Sequence, residues 1–281
     1  MNRELAVLGG WVSVADPNEL LAVAVSIVRS AAELARTLRA QGIGEVSTKS
    51  TPTDVVTAAD RAVERHVIEF LHETRPDDAV LGEETGQTGE MVAPSAVRWI
   101  LDPIDGTVNY LYGLPQYAVS LGAEVGGQVV AGVVRNPATG DEWTATLGGG
   151  AWRAGRRLAC STVTDLGQAL VGTGFGYDPA RRAHQATVVA ALLPRVRDIR
   201  RFGAASIDLC LTAEGSLDAY FEKGLNPWDS AAGGLVATEA GALVTGLNGA
   251  PPGPGFVLAA PPTIHDLLHA ELAELDAAGG P

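Results

Sequence analysis

Apolar residues recur at helical spacing along residues 17–41, where Leu20, Leu21, Ala24, Ile27, Val28, Ala31, Leu34 and Leu38 fall on one stripe. Asp16 is placed to cap this helix, Pro17 suits its first turn, Glu19 completes a capping box and Gly42 ends it. A polar loop is expected over residues 45–52. The spacing predicts a second helix over residues 57–73, with Val63, Val67, Phe70 and Leu71 on one face. Beyond it the chain reads mostly as strands. Runs 79–81 and 97–101 are short and apolar, and each ends at carboxylates. Runs 117–125 and 128–134 flank Gly126-Gly127, a two-residue hairpin turn. A strand over 141–146 follows, and Gly148-Gly149-Gly150 breaks the pattern.

From residue 151 the pattern gives strands at 169–172, 219–222, 242–245 and 256–259. Helices fit 179–193, 204–214, 228–240 and 263–275. The tail 276–281 is expected to fray. Helices and strands alternate irregularly, and antiparallel hairpins mix with helical layers. That pattern predicts a layered α/β (α+β) fold rather than one doubly wound sheet. Two subdomains are expected, an α+β unit over 1–150 and an α/β unit over 151–281.

With 281 residues, 46% of them hydrophobic, the chain can bury a substantial core and is not disordered. Its net charge of −13 repels nucleic acid and anionic membranes, so neither is an expected partner. An anionic substrate would need bound cations to reverse the local field. Cys160 and Cys210 are isolated in apolar or small-residue surroundings and read as buried, reduced thiols. The apolar run 20–28 is too short to cross a bilayer and ends at Arg29. The first residues lack the pattern of a signal peptide, so a cytoplasmic location is the expectation.

The candidate chemistry lies in Trp99-Ile100-Leu101-Asp102-Pro103-Ile104-Asp105-Gly106-Thr107. A strand delivers Asp102 at its end, Pro103 is expected to force a turn, and Asp105 returns three residues later. The two carboxylates can then share a hard cation such as magnesium, with the Ile104 carbonyl between them. Gly106 frees the backbone, and a helix is expected from Thr107, its amides forming an anion site. Taken alone, Asp-x-x-Asp-Gly also reads as a loop in which both acids cap backbone amides. The hydrophobic strand upstream and the acids elsewhere favour the metal site.

At these residues the chain resembles the inositol monophosphatase family. Asp102-Pro103-Ile104-Asp105-Gly106-Thr107 matches that family's first signature. Trp228-Asp229-Ser230-Ala231-Ala232-Gly233, followed by Glu239-Ala240-Gly241, looks like its second. Gly82-Glu83-Glu84 resembles the acidic element upstream, and Asp54 with Thr57-Ala58-Ala59-Asp60 resembles the N-terminal element. The four elements stand in family order and cover nearly all of the chain after residue 40.

The resemblance implies a five-layered αβαβα sandwich of the sugar phosphatase type, usually a homodimer. It implies magnesium-dependent, lithium-sensitive hydrolysis of a small polyol phosphate, with myo-inositol 1-phosphate the leading substrate. Glu83, Asp102 and the Ile104 carbonyl would hold one magnesium, and Asp102, Asp105 and Asp229 a second. Glu83 would help hold a third. Asp60 and Thr107, with Glu83, would orient and deprotonate the attacking water. The amides of Gly106 and Thr107 would bind phosphate, with Asp102 and Asp229 also facing the substrate. Glu222 and the backbone near Ala205 would meet the substrate's hydroxyls. The chain departs from the family at Val108 and Tyr110, where Thr and Phe are frequent, and at Ala204, where a hydroxyl is common. Both departures are expected near the pocket edge.

Several residues carry a plainer reading beside the functional one. Thr57-x-x-Asp60 is also a capping box, and Asp229 also reads as a helix N-cap. Glu84 reads as a neighbour of the site or a solvated acid. Lys49 and Lys223 could draw in phosphate, but a solvated lysine is the default. The five histidines read as structural or exposed. The Gly-rich run 172–177 lacks the Lys-Ser/Thr ending of a P-loop, and either lines the pocket or turns the chain. Two other functions compete. One is a related phosphatase acting on histidinol phosphate, fructose 1,6-bisphosphate or a 3′-phosphoadenosine nucleotide. The other is a non-catalytic scaffold of the same fold, which predicts loss of a metal ligand; every expected acid is present.

Overall fold

The computed structural model describes residues 16–43, 46–52, 55–91 and 96–281, so Asp54 lies outside the described residues. Helix α1 (Pro17–Ala40) buries Leu20, Ala24, Ile27, Val28, Ala31, Ala32 and Ala35. Its cap is Asp16 Oδ1 accepting the Asn18 N–H at 2.9 Å, in place of the expected box with Glu19. The expected loop 45–52 holds the first strand of a short hairpin, β1 (Val46–Thr48), which pairs with β2 (Val55–Thr57) beyond it. Three-residue strands leave no alternation to read. Helix α2 (Ala58–Thr74) begins at Thr57 with a complete capping box to Asp60.

An eight-stranded sheet follows, built from β3 (Ala79–Gly82), β4 (Gly86–Thr88), β5 (Val97–Asp105), β6 (Ala118–Val125), β7 (Gln128–Arg135), β8 (Glu142–Thr146), β9 (Gly150–Arg153) and β10 (Arg156–Arg157). Helix α3 (Thr107–Tyr112) lies between β5 and β6. The strand order is β10-β9-β8-β7-β6-β5-β3-β4, antiparallel except where β3 meets β5. The sheet runs on through Arg157, so a division at residue 150 passes through its last strands.

The second sheet holds β11 (Leu170–Thr173), β12 (Asp198–Arg200), β13 (Ala219–Glu222), β14 (Leu243–Thr245) and β15 (Val257–Ala260) in the order β12-β11-β13-β15-β14. Its helices are α4 (Pro179–Leu192), α5 (Ala205–Ala213), α6 (Pro227–Glu239) and α7 (His265–Glu274). Helices α1 and α2 cover the outer face of the large sheet, α5 and α6 lie between the sheets, and α4 and α7 cover the far side. The architecture is a layered αβαβα sandwich. The expected frayed tail is instead held: Lys223 Nζ donates to the Gly279 and Gly280 carbonyls at 2.8 Å, and Arg181 Nε to Pro281 O at 3.0 Å.

Small residues bring α6 against the large sheet. A Cβ on Gly132 of β7 would stand 3.0 Å from the Ala232 Cα. Gly132→Val is therefore expected to cost about 1–3 kcal/mol by overpacking. An unchanged urea midpoint for that variant would contradict the close approach.

Candidate active site

Two acids three residues apart on a regular strand point to opposite faces. On β5 they do not, because the step from Asp102 to Asp105 matches the shorter step from Ser120 to Ala118 on β6. The strand carries one extra residue there, a bulge that re-aims side chains. Pro103 sits in this bulge, where its missing N–H breaks no regular ladder. The expected turn at Pro103 is thus a bulge within a continuing strand. Within it, Asp102 Oδ1 accepts the Ile104 N–H at 3.1 Å.

The N-terminus of α5 docks on the second acid. Asp105 Oδ1 accepts the Ala205 N–H at 3.2 Å, while Oδ2 accepts the Ser206 N–H at 2.8 Å and its hydroxyl at 2.5 Å. The Ala205 amide is therefore committed to Asp105, and any substrate contact there falls to other atoms of the residue. Asp229 is the third residue of α6 rather than its N-cap; the cap is Asn226, whose N–H donates to Asp229 Oδ2 at 2.6 Å. The small residues behind it seat α6 closely, since a Cβ on Gly233 would lie 2.9 Å from Ser206 O. Bulge and helix together bring one carboxylate oxygen each from Asp102, Asp105 and Asp229 within 4.8 Å of one another.

These acids line a cavity of about 690 Å³ that also receives Glu83, Ile104, Gly106, Thr107, Ala205 and Glu222. Glu83 is turned toward Lys49, whose Nζ donates to its Oε1 at 2.8 Å and also to Glu84. Lys49 is thus paired at the site rather than solvated. Asp60 completes the capping box of α2 and also meets a residue of the cavity lining. Its Oδ2 accepts the Thr57 N–H at 2.8 Å, and its Oδ1 accepts the Thr107 hydroxyl at 3.1 Å. The Tyr220 hydroxyl donates to Glu222 Oε2 at 2.5 Å. The Gly-rich loop lines the cavity through residues 174–178.

Burial pushes Asp102 and Asp229 well above the ordinary carboxylate range, and the neighbouring acids push further in the same direction. Burial also raises Asp105, with the Ser206 and Ala205 donors working against it. Glu83 and Glu222 are each pushed up to about 7, chiefly by burial, with Lys49 opposing the rise in Glu83 and Tyr220 that in Glu222. Such a cluster relieves its repulsion by taking up protons or a hard cation. The donors fit that cation: carboxylates and a peptide carbonyl, with no histidine or cysteine in the lining. The ammonium of Lys49 on Glu83 is itself a cation standing among these acids.

The model of the inositol monophosphatase family matches residues 16–277. The chain belongs to this family. It is 47% identical over 274 residues to the inositol-1-monophosphatase of Mycobacterium leprae, covering 92% of this chain and 94% of that one. The solved structure of Mycobacterium tuberculosis SuhB superposes with a TM-score of 0.80 at 42% identity, covering 94% of this chain and all of that one. A Nus factor SuhB of Pseudomonas aeruginosa is 37% identical over 234 residues, covering 82% of this chain and 86% of that one.

None of the residues that depart from the family pattern lines the cavity itself, although Ala204 stands between the lining residues Gly203 and Ala205. Tyr110 is buried in the core under α1, its hydroxyl donating to Ala35 O at 3.2 Å and its ring meeting Tyr117 edge-on. Ala204 is buried beside Gly106. Sequence reasoning missed Arg181 and Arg201, which line the cavity, and Ser206, which holds Asp105. An arginine in the first turn of α4 and another just ahead of α5 carry no pattern that marks them as pocket residues. Ser206 could have been found, because a hydroxyl in the first turn of α5 is a ready donor to an approaching acid.

Proposed function

We propose that this chain is a magnesium-dependent phosphomonoesterase that converts myo-inositol 1-phosphate to myo-inositol and phosphate. The observation that carries the reading is the meeting of Asp102, Asp105 and Asp229 in one cavity beside the Thr107–Asp60 hydrogen bond. Kinship with the Mycobacterium leprae enzyme supports the substrate. Glu83, Asp102 and the Ile104 carbonyl would hold one magnesium in this reading, and Asp102, Asp105 and Asp229 would hold a second, with Glu83 available to a third. Bound magnesium supplies charge neutralisation and Lewis acidity, and makes hydroxide accessible near neutral pH.

The chain's own groups do the rest. Thr107 Oγ1 accepts a hydrogen bond from the attacking water and donates its own proton toward Asp60 Oδ1, so the water's proton passes to Thr107 as the Thr107 proton passes to Asp60. Burial raises the pKa of Asp60, tempered by Thr57, and a raised pKa makes it a stronger base for the water's proton. The amides of Gly106 and Thr107 orient the phosphate for in-line attack, a reaction that asks the protein for positioning more than covalent chemistry. Glu222 accepts polyol hydroxyls, and Ala205 bounds the ring beside it. The homodimer, the number of ions and the cytoplasmic location belong to the same reading and rest on the family resemblance. No helix among the described residues is long and apolar enough to cross a membrane.

Side-by-side phosphate release from myo-inositol 1-phosphate, histidinol phosphate, fructose 1,6-bisphosphate and a 3′-phosphoadenosine nucleotide, all with magnesium, tests the assignment. The inositol ester is expected to turn over fastest and to be slowed by millimolar lithium. Finding it the poorest of the four would defeat the assignment.

A further inference from the structure

Helix α2 carries a second acid on the face that bears Asp60. Glu64 follows it by one helical turn, and both side chains are fully buried with Val63 and Val67. Glu64 is not among the residues that line the cavity. Its two oxygens are nonetheless both used: Oε2 accepts the Glu84 N–H at 2.9 Å, and Oε1 accepts the Thr85 N–H at 2.7 Å. These amides belong to the short turn between β3 and β4, the turn that carries Glu83.

We infer that Glu64 is a positioning residue that aims Glu83 into the metal site by clamping the backbone of residues 84 and 85. The inference deepens the proposed function and rests on Glu83 being a magnesium ligand there. Only a carboxylate suits the position, because two N–H groups converge on it and each needs an acceptor oxygen. Glutamine would turn its amide nitrogen toward one of those donors. Gly82 gives the clamp its room, since a Cβ there would stand 2.7 Å from the Glu64 carboxyl carbon. The pair has a further consequence. One rigid helix sets both Asp60, which holds the Thr107 hydroxyl, and the turn presenting Glu83. The water-activating pair and this ligand are thereby fixed in one frame.

Glu64→Gln tests the clamp with little change in volume. Calorimetric titration with Mg²⁺ alone is expected to show binding weakened by about 10–100-fold, the range for groups that orient metal ligands. The thermal midpoint in EDTA is expected to stay near wild type, so that metal affinity falls without a matching loss of fold. Gly82→Ala, which leaves Glu64 in place but crowds it, is expected to reproduce the weakened binding. Unchanged Mg²⁺ affinity in either folded variant would overturn the inference. A measurement on the wild-type protein stands apart from any variant: in EDTA, the Glu84 and Thr85 amides are expected to exchange hydrogen slowly. Exchange at the rate of an open loop would also overturn it. Glu83→Gln separates the two readings. If that variant keeps wild-type Mg²⁺ affinity, the assignment of Glu83 fails; if it loses affinity while Glu64→Gln does not, only the clamp fails.

Discussion

Asp102→Asn is expected to lower phosphate release by about 10³-fold, because even groups that merely orient a metal ligand cost 10–100-fold and this one is assigned as the ligand itself. The fold is expected to survive. Asp102 is buried, and its Oδ1 accepts the Ile104 N–H at 3.1 Å, a bond that the asparagine oxygen can keep. The charge removed is a costly one, since burial and then Glu83, Asp105 and Asp229 all oppose it. The metal-free variant should therefore melt at or above the wild-type temperature, while the Mg²⁺-induced rise in melting temperature shrinks. Steady-state kinetics and thermal melts with and without Mg²⁺ measure both effects. Near-normal turnover at ordinary magnesium would refute the role of Asp102.

The second large effect is a stability that depends on pH in opposite ways with and without metal. Glu83 is held at about 7 against an ordinary 4.5, chiefly by burial, and Asp102, Asp105 and Asp229 are raised for the same first reason. The folded protein then binds more protons than the unfolded chain between about pH 4.5 and 7, so stability falls as pH rises through that window. For Glu83 alone the loss is on the order of 3 kcal/mol. Ion-paired acids such as Glu142 and Glu214 are lowered instead, Arg29 and Arg153 outweighing the effect of burial. The stability they contribute is complete above the ordinary carboxylate range and is lost only in more acid solution. The interval from pH 5.5 to 8 is therefore dominated by the buried acids, the cavity cluster together with Asp208, which burial also raises. In EDTA the melting temperature should fall across it, and the rise on adding Mg²⁺ should be small at pH 5.5 and large at pH 8. A flat or rising metal-free profile with a pH-independent metal shift would contradict the electrostatic account.

Much of this molecule is legible in its sequence, for reasons that differ from place to place. Long amphipathic helices such as α1 and α2 show their buried faces because the 3.6-residue period repeats over several turns. The hairpin at Gly126-Gly127 is legible because two glycines suit the left-handed turn that joins β6 to β7. The hairpin of β1 and β2 is not, because three-residue strands carry no period. The acids of the site are named by their local pattern, yet what makes them a site is not local. The bulge at Pro103 depends on the register of β6, which the sequence of β5 does not contain. The pairing of Lys49 with Glu83, and the hold of Ser206 on Asp105 across a hundred residues, depend on how the layers stack. Lys223 likewise meets the chain's tail only because β13 ends beside it. Glu64 reads from sequence as one more charge on a helix, and only its two amide partners reveal why it is buried.

The central claim is that Asp102, Asp105 and Asp229 come together around a divalent cation. Anomalous diffraction at the manganese edge, from crystals soaked in MnCl₂, tests it most directly, because manganese takes the same hard oxygen donors as magnesium. The account predicts a peak within bonding distance of oxygens from all three aspartates. Well-ordered crystals with no peak there, or with their strongest peak at a surface acid instead, would contradict it.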